Sequence, residues 1–398
     1  MTNKYRDPIH GFIEISELEN QIINTYAFQR LRNIKQLAMT YLVFHGAEHT
    51  RFEHSLGTMF LVTKALRAAI RNEKYEVLAA RSQWYEQILR LIALTHDLRH
   101  APFSHASESV FPDGLEHEHF TEKIIKETGI AGIINEIGQQ YQAKYGVEYN
   151  ITAELICDIY MGRGPGVNSE FTFLNSFMDS ELDCDKTDYL LRDSLYCGVN
   201  YGRYDVDRLI SSLTIHMQDG IFPRLAISDG GIQAFEEFVL ARYFMFIQVY
   251  FHRNRRYFDI MLHKALLNIL PNGKYPSLTE EYIRWDDTKV IQLMQEKAAS
   301  CEACNNRVVY SRIYRSKQHS NDSDKQVFRA ATRELYLTFG RENFIEDSAG
   351  KMPHKIPIKT EVVDEQAIII VDDNMEHYTT ISKESHIISS LTDKKMIF

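Results

Sequence analysis

An apolar helical stripe that ends on adjacent His and Asp places the tightest constraint on this chain. Residues 84–98 carry Ile88, Leu91, Ile92 and Leu94 at helical spacing, the last turn reaches His96-Asp97, and Pro102 stops the helix. A pair of that kind, set where an apolar helix enters the core, needs hydrogen-bond partners or a cation. Three other segments offer matching chemistry. Arg51-Phe-Glu-His54 opens a second helix, Pro102-Phe-Ser-His105 follows the first, and Asp183-Cys-Asp185-Lys186-Thr-Asp188-Tyr189 leads on to Asp193. Two imidazoles with two carboxylates would neutralise a divalent ion and leave positions open for water and substrate, as a catalytic site requires. This mixed nitrogen and oxygen set suits Fe, Mn, Zn or Mg alike. A lone His-Asp dipeptide is more often a hydrogen-bonded core pair, so the weight falls on spacing.

Two spacings carry that weight. His96 and His100 lie four apart, on one face if the helix continues. Lys186, Tyr189 and Asp193 stand at i, i+3 and i+7, so a helix beginning near 185 presents a cation, a phenol and a carboxylate together. The cation suits phosphate, and the other two suit hydroxyl groups.

Helical periodicity also marks residues 19–38, 117–128, 151–161, 179–197 and 232–270, with a Gly- and Pro-bearing loop over 162–172. Beyond 300, residues 308–314 alternate like a strand, 317–326 form a polar loop, 329–339 look helical, and 366–372 hold an aliphatic strand-like run. The expected fold is mainly α: a helical core over 1–300 with a smaller C-terminal α+β lobe over 301–398. Hydrophobic residues at 44% and charged residues at 25% exclude disorder as the main state. A net charge of −9 argues against wholesale coating of nucleic acid. The basic and aromatic segment 242–256 reads as helix core, with Arg253, Arg255 and Arg256 near a nucleotide or subunit interface, so nucleic-acid binding is not the primary role. Five cysteines, with Cys301 and Cys304 the one close pair, form no disulfide framework and read as reduced. No apolar run approaches the ~18 residues of a membrane span and no signal sequence opens the chain, so a cytoplasmic location is expected.

The motifs R51-x-x-H54, H96-D97-x-x-H100-x-P-F-S-H105 and D183-x-D185-K186-x-D188-Y189 resemble those of the HD-domain dNTP triphosphohydrolases. D7-P-I-H-G11, F28-Q-R-L-R32-x-I-K-Q-L37 and F52-E-H-S-L-G57 look like the subgroup of the human SAM-and-HD-domain dNTPase and its bacterial homologues. The likeness covers residues 4 to 255 well and the C-terminal lobe loosely. It implies an HD-domain core with His54, His96, Asp97 and Asp185 as metal ligands. It implies His105, Glu108 and His117 near the scissile bond. Arg51, His100, Lys186 and Arg242 would contact the triphosphate, Tyr189 and Asp193 the ribose 3′-hydroxyl, and Gln36, Leu37 and Tyr250 the sugar edge. Asn24, Gln29 and Arg32 fall at the family's activating-nucleotide site, where the ligand is a nucleotide with Mg. A homo-oligomer, dimer or tetramer, is implied as well.

Departures from the pattern are specific. Arg99 stands where the family has glycine, Phe246 and Phe251 replace polar residues near the base, and Asn24 replaces an acidic base reader. The expected reaction is metal-dependent hydrolysis of dNTPs to deoxynucleoside and inorganic triphosphate. The competing readings are another HD phosphohydrolase (a nucleotidase or signalling-nucleotide phosphodiesterase), or a non-catalytic nucleotide or single-strand nucleic-acid sensor. His45, His49 and His119 read as hydrogen-bonding or surface histidines.

Overall fold

The computed structural model describes residues 3–73, 78–112, 117–163, 170–218, 222–297, 301–315, 322–347, 354–356, 367–372, 374 and 377–391, without the side chains of 117–119 and 170. The chain is mainly α, as expected. A hairpin of β1 (Asn3–Asp7) and β2 (Gly11–Ile15) precedes α1 (Glu17–Ile23) and α2 (Tyr26–Gln29). Then follow α3 (Arg51–Asn72), α4 (Ser82–Thr95), α5 (His117–Glu127), α6 (Ile130–Tyr145), α7 (Ala153–Tyr160), α8 (Glu170–Asn175), α9 (Cys184–Cys197) and α10 (Val206–Ser211). After β3 (Leu213–Gln218) and β4 (Phe222–Ser228) come α11 (Ile232–Met245), α12 (Arg253–Ile269), α13 (Thr279–Tyr282), α14 (Asp287–Glu296), α15 (Glu302–Asn305) and α16 (Asp322–Phe339). The described chain ends with β5 (Ile369–Val371), β6 (Tyr378–Thr380), α17 (Ile381–Glu384) and α18 (His386–Ser390). Among the described residues no helix is long and apolar enough to cross a membrane, and all five cysteines are buried thiols.

The long buried pair α3 and α4 forms the centre of the core, and α9 packs across α3. Local chemistry sets their ends. The Thr50 amide donates to Glu53 Oε1 at 2.8 Å as α3 begins, a capping pair that satisfies an otherwise orphaned donor. Asp183 accepts the Lys186 amide at 2.7 Å to start α9, and Gly198 at φ +68° ends it. In the second sheet, β3 and β4 pair antiparallel, β4 and β5 parallel (Ile227 opposite Ile370), and β5 and β6 antiparallel. It joins segments on both sides of residue 300.

Several expected elements differ. Residues 19–38 are not one helix. Thr25 caps a new helix by accepting the Phe28 amide, Arg30–Asn33 tightens to a 3-10 turn, and the Gln36 amide donates to His49 O at 3.0 Å in an extended pairing. Ile22, Ile23, Phe28, Leu31 and Ile34 are nevertheless all buried, so periodicity reported burial rather than continuity. Likewise 179–197 is helical only from Cys184, and 232–270 passes through a π turn at Phe246–Tyr250 before α12. Residues 308–314 pair in no strand, and the expected polar loop 317–326 is helix from Asp322 on, its residues 317–321 lying outside the described set. Of the loop expected over 162–172, residues 164–169 lie outside it too.

Candidate metal centre

His54 on α3, His96 just past α4 and Asp185 in the first turn of α9 bring one ligand atom each to a common point, all within 4.8 Å of one another. His54 Nε2 lies 2.8 Å from Asp185 Oδ1, and His96 Nε2 lies 3.7 Å from that oxygen. The expected fourth ligand, Asp97, lies beside this cluster and outside it, with Oδ1 3.4 Å from His96 Nε2 and Oδ2 3.7 Å from His54 Nε2. α4 ends at Thr95, and His96–Arg99 is a tighter 3-10 turn. His96 and His100 therefore do not share a helical face. They meet instead on Asp97, whose Oδ1 is 3.0 Å from His100 Nε2.

The donor set fits a divalent ion. His96 Nδ1 sits 2.7 Å from Ala93 O, which sets it as the N–H donor and leaves a lone pair on Nε2. That Nε2 is buried without a hydrogen-bond partner, an arrangement that costs free energy unless something positive is bound there. Burial would raise the Asp97 carboxyl, but Arg51 above all, then His96 and His100, hold it well below the usual carboxylate range. Burial opposes charge on His54, yet hydrogen bonds with Asp185 and Asp188 carry its pKa up to about 10. Buried negative charge at this point therefore favours a cation.

A second layer, whose roles the sequence did not reveal, holds His54 in place. His54 Nδ1 lies 2.7 Å from Asp188 Oδ2, and His10 Nε2 lies 2.6 Å from Asp188 Oδ1. Fully buried Arg192 donates to both Asp188 oxygens at 2.8 and 2.9 Å and to Asp7 Oδ2 at 2.9 Å. Asp7 accepts the Ile9 and His10 amides, which shapes the turn between β1 and β2 and delivers His10. The available signal was the i, i+4 spacing of Asp188 and Arg192, which marks a salt bridge on a helix.

Beside the ligands, Arg51 Nη1 donates to Asp97 Oδ2 at 2.9 Å and its Nε to Ser104 Oγ at 3.0 Å. His100 and His105 meet ring edge to face with centroids 5.1 Å apart. His105 Nδ1 is paired with Glu108 Oε1, and the His105 side chain is 63% exposed. The side chain of His117 lies outside the described residues.

Of the expected triphosphate and sugar contacts, Lys186, Tyr189 and Asp193 lie on α9, Arg242 on α11 and Tyr250 in the π turn. Tyr250 OH donates to Asp193 Oδ2 at 2.7 Å, and His49 Nε2 lies 2.7 Å from Asp193 Oδ1. Tyr189 faces Tyr250 with centroids 6.3 Å apart and feels the charges of Arg242 and Lys186. Burial pushes its phenol up to about 12, so it is a neutral hydrogen-bonding group. Gln36 and Leu37 are buried next to this group through the pairing with His49, and Gln36 Oε1 is buried without a partner. The two cations are already engaged by acids. Lys186 Nζ pairs with Asp183 Oδ2 and donates to Ser180 O at 2.9 Å, and Arg242 Nη1 donates to Glu181 Oε2 at 2.8 Å. Arg99 turns to Tyr160 on α7, to whose hydroxyl it donates. Phe246 packs on Tyr250 and Phe251, with centroids 5.0 and 5.4 Å away.

Asn24, Gln29 and Arg32 stand at the α1–α2 surface. Arg32 donates to Gln29 Oε1 at 2.9 Å, lies 3.5 Å from the Phe52 ring centre, and Gln29 Nε2 donates to Ile23 O. A separate cavity of about 1030 Å³ lies between the start of α12 and residues 309–315 and 328–347, with Arg253, Arg256, Arg312 and Arg315 on its walls. None of the metal-binding candidates lines it.

The chain is similar to known proteins in sequence and in fold. A family model described as an HD associated region matches residues 204–395. The protein MJ1154 of Methanocaldococcus jannaschii is 35% identical over 86% of this chain and 68% of its own length. YwfO of Bacillus subtilis is 28% identical over 98% of this chain and 89% of its own. The deoxynucleoside triphosphate triphosphohydrolase SAMHD1 of Gallus gallus is 34% identical over 52% of this chain, a match that spans 36% of that longer protein. The crystal structure of a hypothetical protein from Aquifex aeolicus superposes with a TM-score of 0.79 at 28% identity, covering all of this chain and 95% of the other. A phosphohydrolase from Bacteroides thetaiotaomicron, 24% identical with a TM-score of 0.73, shares the fold over the whole chain. The fold, the His54–His96–Asp185 cluster and these relatives together place the chain in the HD-domain family.

Proposed function

We propose that the protein is a metal-dependent dNTP triphosphohydrolase, releasing a deoxynucleoside and inorganic triphosphate. The observation that carries this reading is the placing of the His54–His96–Asp185 cluster, edged by Asp97, beside the group formed by Arg51, Lys186, Arg242, Tyr189, Asp193 and Tyr250. A divalent ion held by His54, His96, Asp97 and Asp185 would supply Lewis-acid polarisation of the α-phosphorus and a water of lowered pKa. Arg51 and His100 stand on the Asp97 side of that point and would meet the phosphates there. Lys186 and Arg242, which now pair with Asp183 and Glu181, would also donate to phosphate oxygens. His105, held by Glu108, or His117 would give the proton to the leaving O5′. Asp193 and Tyr250 would receive the 3′-hydroxyl, with Tyr189, and Gln36 and Leu37 would close on the sugar. The surface group Asn24, Gln29 and Arg32 we assign to a regulatory nucleotide, with Mg, in a homo-oligomer.

The test is product analysis with all four dNTPs, singly and in pairs, across Mg, Mn, Fe and Zn. Deoxynucleoside plus triphosphate is expected, with Asp97→Ala slower by on the order of 100-fold or more. Nucleoside monophosphate plus pyrophosphate would move the assignment to another HD phosphohydrolase. Asp97→Ala as fast as wild type would mean that the reaction lies elsewhere. Activity confined to mixtures would support the regulatory assignment.

A further inference from the structure

Two segments that shape this cleft are held in conformations that side-chain-bearing residues rarely adopt. Phe103 and Ser104, just before His105, have φ of 60° and 51°, and Ala38, just after Leu37, has φ of 51°. Such backbone persists only where the surroundings over-determine it. One buried carboxylate from far along the chain reaches both segments. Asp287, the first residue of α14, accepts the Phe103 amide on Oδ1 at 2.7 Å and the Lys35 amide on Oδ2 at 2.9 Å. From there the bonds run into the site. Ser104 Oγ donates to Lys35 O at 3.0 Å and accepts from Arg51 Nε at 3.0 Å, and Arg51 continues to Asp97. The neighbouring residues brace the same strut. Asn33 Nδ2 donates to Asp286 Oδ2 at 3.1 Å, and buried Arg30 donates from Nε to Trp285 O and from Nη2 to His100 O, both at 2.7 Å.

We propose that Asp287 is a positioning residue for this cleft, setting the 35–37 segment and the 103–105 segment in register so that Arg51, His105 and the Gln36–Leu37 wall face one substrate. The proposal rests on the hydrolytic reading above. An apolar residue at 287 would leave two buried N–H groups without acceptors, and nothing else described supplies one carboxylate to both amides. The segment lies within the region matched as HD associated, which gives that region a direct part in shaping the site.

The test compares wild type with Asp287→Ala and the near-isosteric Asp287→Asn, with the same metal, well below the melting temperature. In Asp287→Ala, kcat should fall by on the order of 10- to 100-fold, as expected for displaced reacting groups. Asp287→Asn, which keeps one acceptor, should fall between. Hydrogen exchange read by mass spectrometry should quicken in peptides covering 33–38 and 101–106, with α1 and α6 unchanged. A purely structural role would lower the melting temperature and leave kcat within about 2-fold, and that result overturns the proposal. Unchanged exchange in both peptides overturns it as well. If wild type hydrolyses no dNTP, the functional reading fails, and the exchange comparison still decides whether Asp287 couples the two segments.

Discussion

Gly57 matters through the atom it lacks. A Cβ built there would lie 2.0 Å from Asp188 Oδ1 and 2.4 Å from Arg192 Nη2, so α3 approaches α9 closely enough for His54 and Asp188 to meet only without a side chain. Gly57→Ala should destabilise the fold by about 1–3 kcal/mol, an overpacking cost measurable by urea unfolding. No change in midpoint would mean that α9 shifts freely and that the contact is loose. Asp188 itself accepts from Arg192 and faces both His10 and His54, and its carboxyl is held well below the usual range because Arg192 first, then His10 and His54, overcome burial. Asp188→Asn keeps the shape and removes the charge behind His54. Metal affinity in a chelator competition should drop about 10- to 100-fold. An unaltered affinity would detach Asp188 from the site. Residue identity for the ligand candidates was readable in advance, but the work of Asp188, His10 and Arg192 was not. Their partners lie 134, 178 and 185 residues away, and helical spacing reports only on neighbours.

Element ends, more than element middles, place the chemistry. α4 stops one residue before His96, and the tighter turn that follows brings His96 and His100 to one oxygen of Asp97, Oδ1, instead of setting them along one stripe. The π turn at Phe246–Tyr250 similarly brings Tyr250 onto Asp193, as such insertions do at functional sites. Apolar spacing located these helices, and it could not register a change of winding over four or five residues. The start of α14 carries a pH prediction. Burial pushes the Asp287 carboxyl up to about 7 against the two backbone donors that favour its charge. A folded pKa above the unfolded value of about 3.9 means that the native state binds the extra proton, so stability is gained below the unfolded value and lost as pH rises through about 7. Relative to Asp287→Asn, wild type should lose about 3 kcal/mol between about pH 5 and pH 7.5, compared by denaturant titration. A difference that stays constant over that window would show that the carboxyl titrates normally.

The molecule as a whole is tied together by the second sheet. Ile370 on β5 is 2% exposed and lies opposite Ile227 on β4, so material from both sides of residue 300 shares one core. Ile370→Ala should cost about 2–5 kcal/mol and shift a single cooperative unfolding transition seen alike by Trp fluorescence and far-UV circular dichroism. Two separate transitions would show that the segments fold independently. The helical class, the order of the motifs and the residue types of the candidate site were legible in the linear chain, because they depend on composition and on spacing within one helix. The parallel pairing of β4 with β5, the meeting of His10 with Asp188 and the Asp287 strut were not, because each joins residues far apart in the chain that local pattern treats as unrelated. The same holds at the centre of the site. His54 and Asp185 are 131 residues apart and meet at 2.8 Å, while Lys186 and Arg242 find Asp183 and Glu181 as partners. Linear order decided which side chains the protein can use. Only the packing of α3 against α9 decided which charges face one another, since Coulomb and hydrogen-bond energies depend on distances that the chain alone does not set.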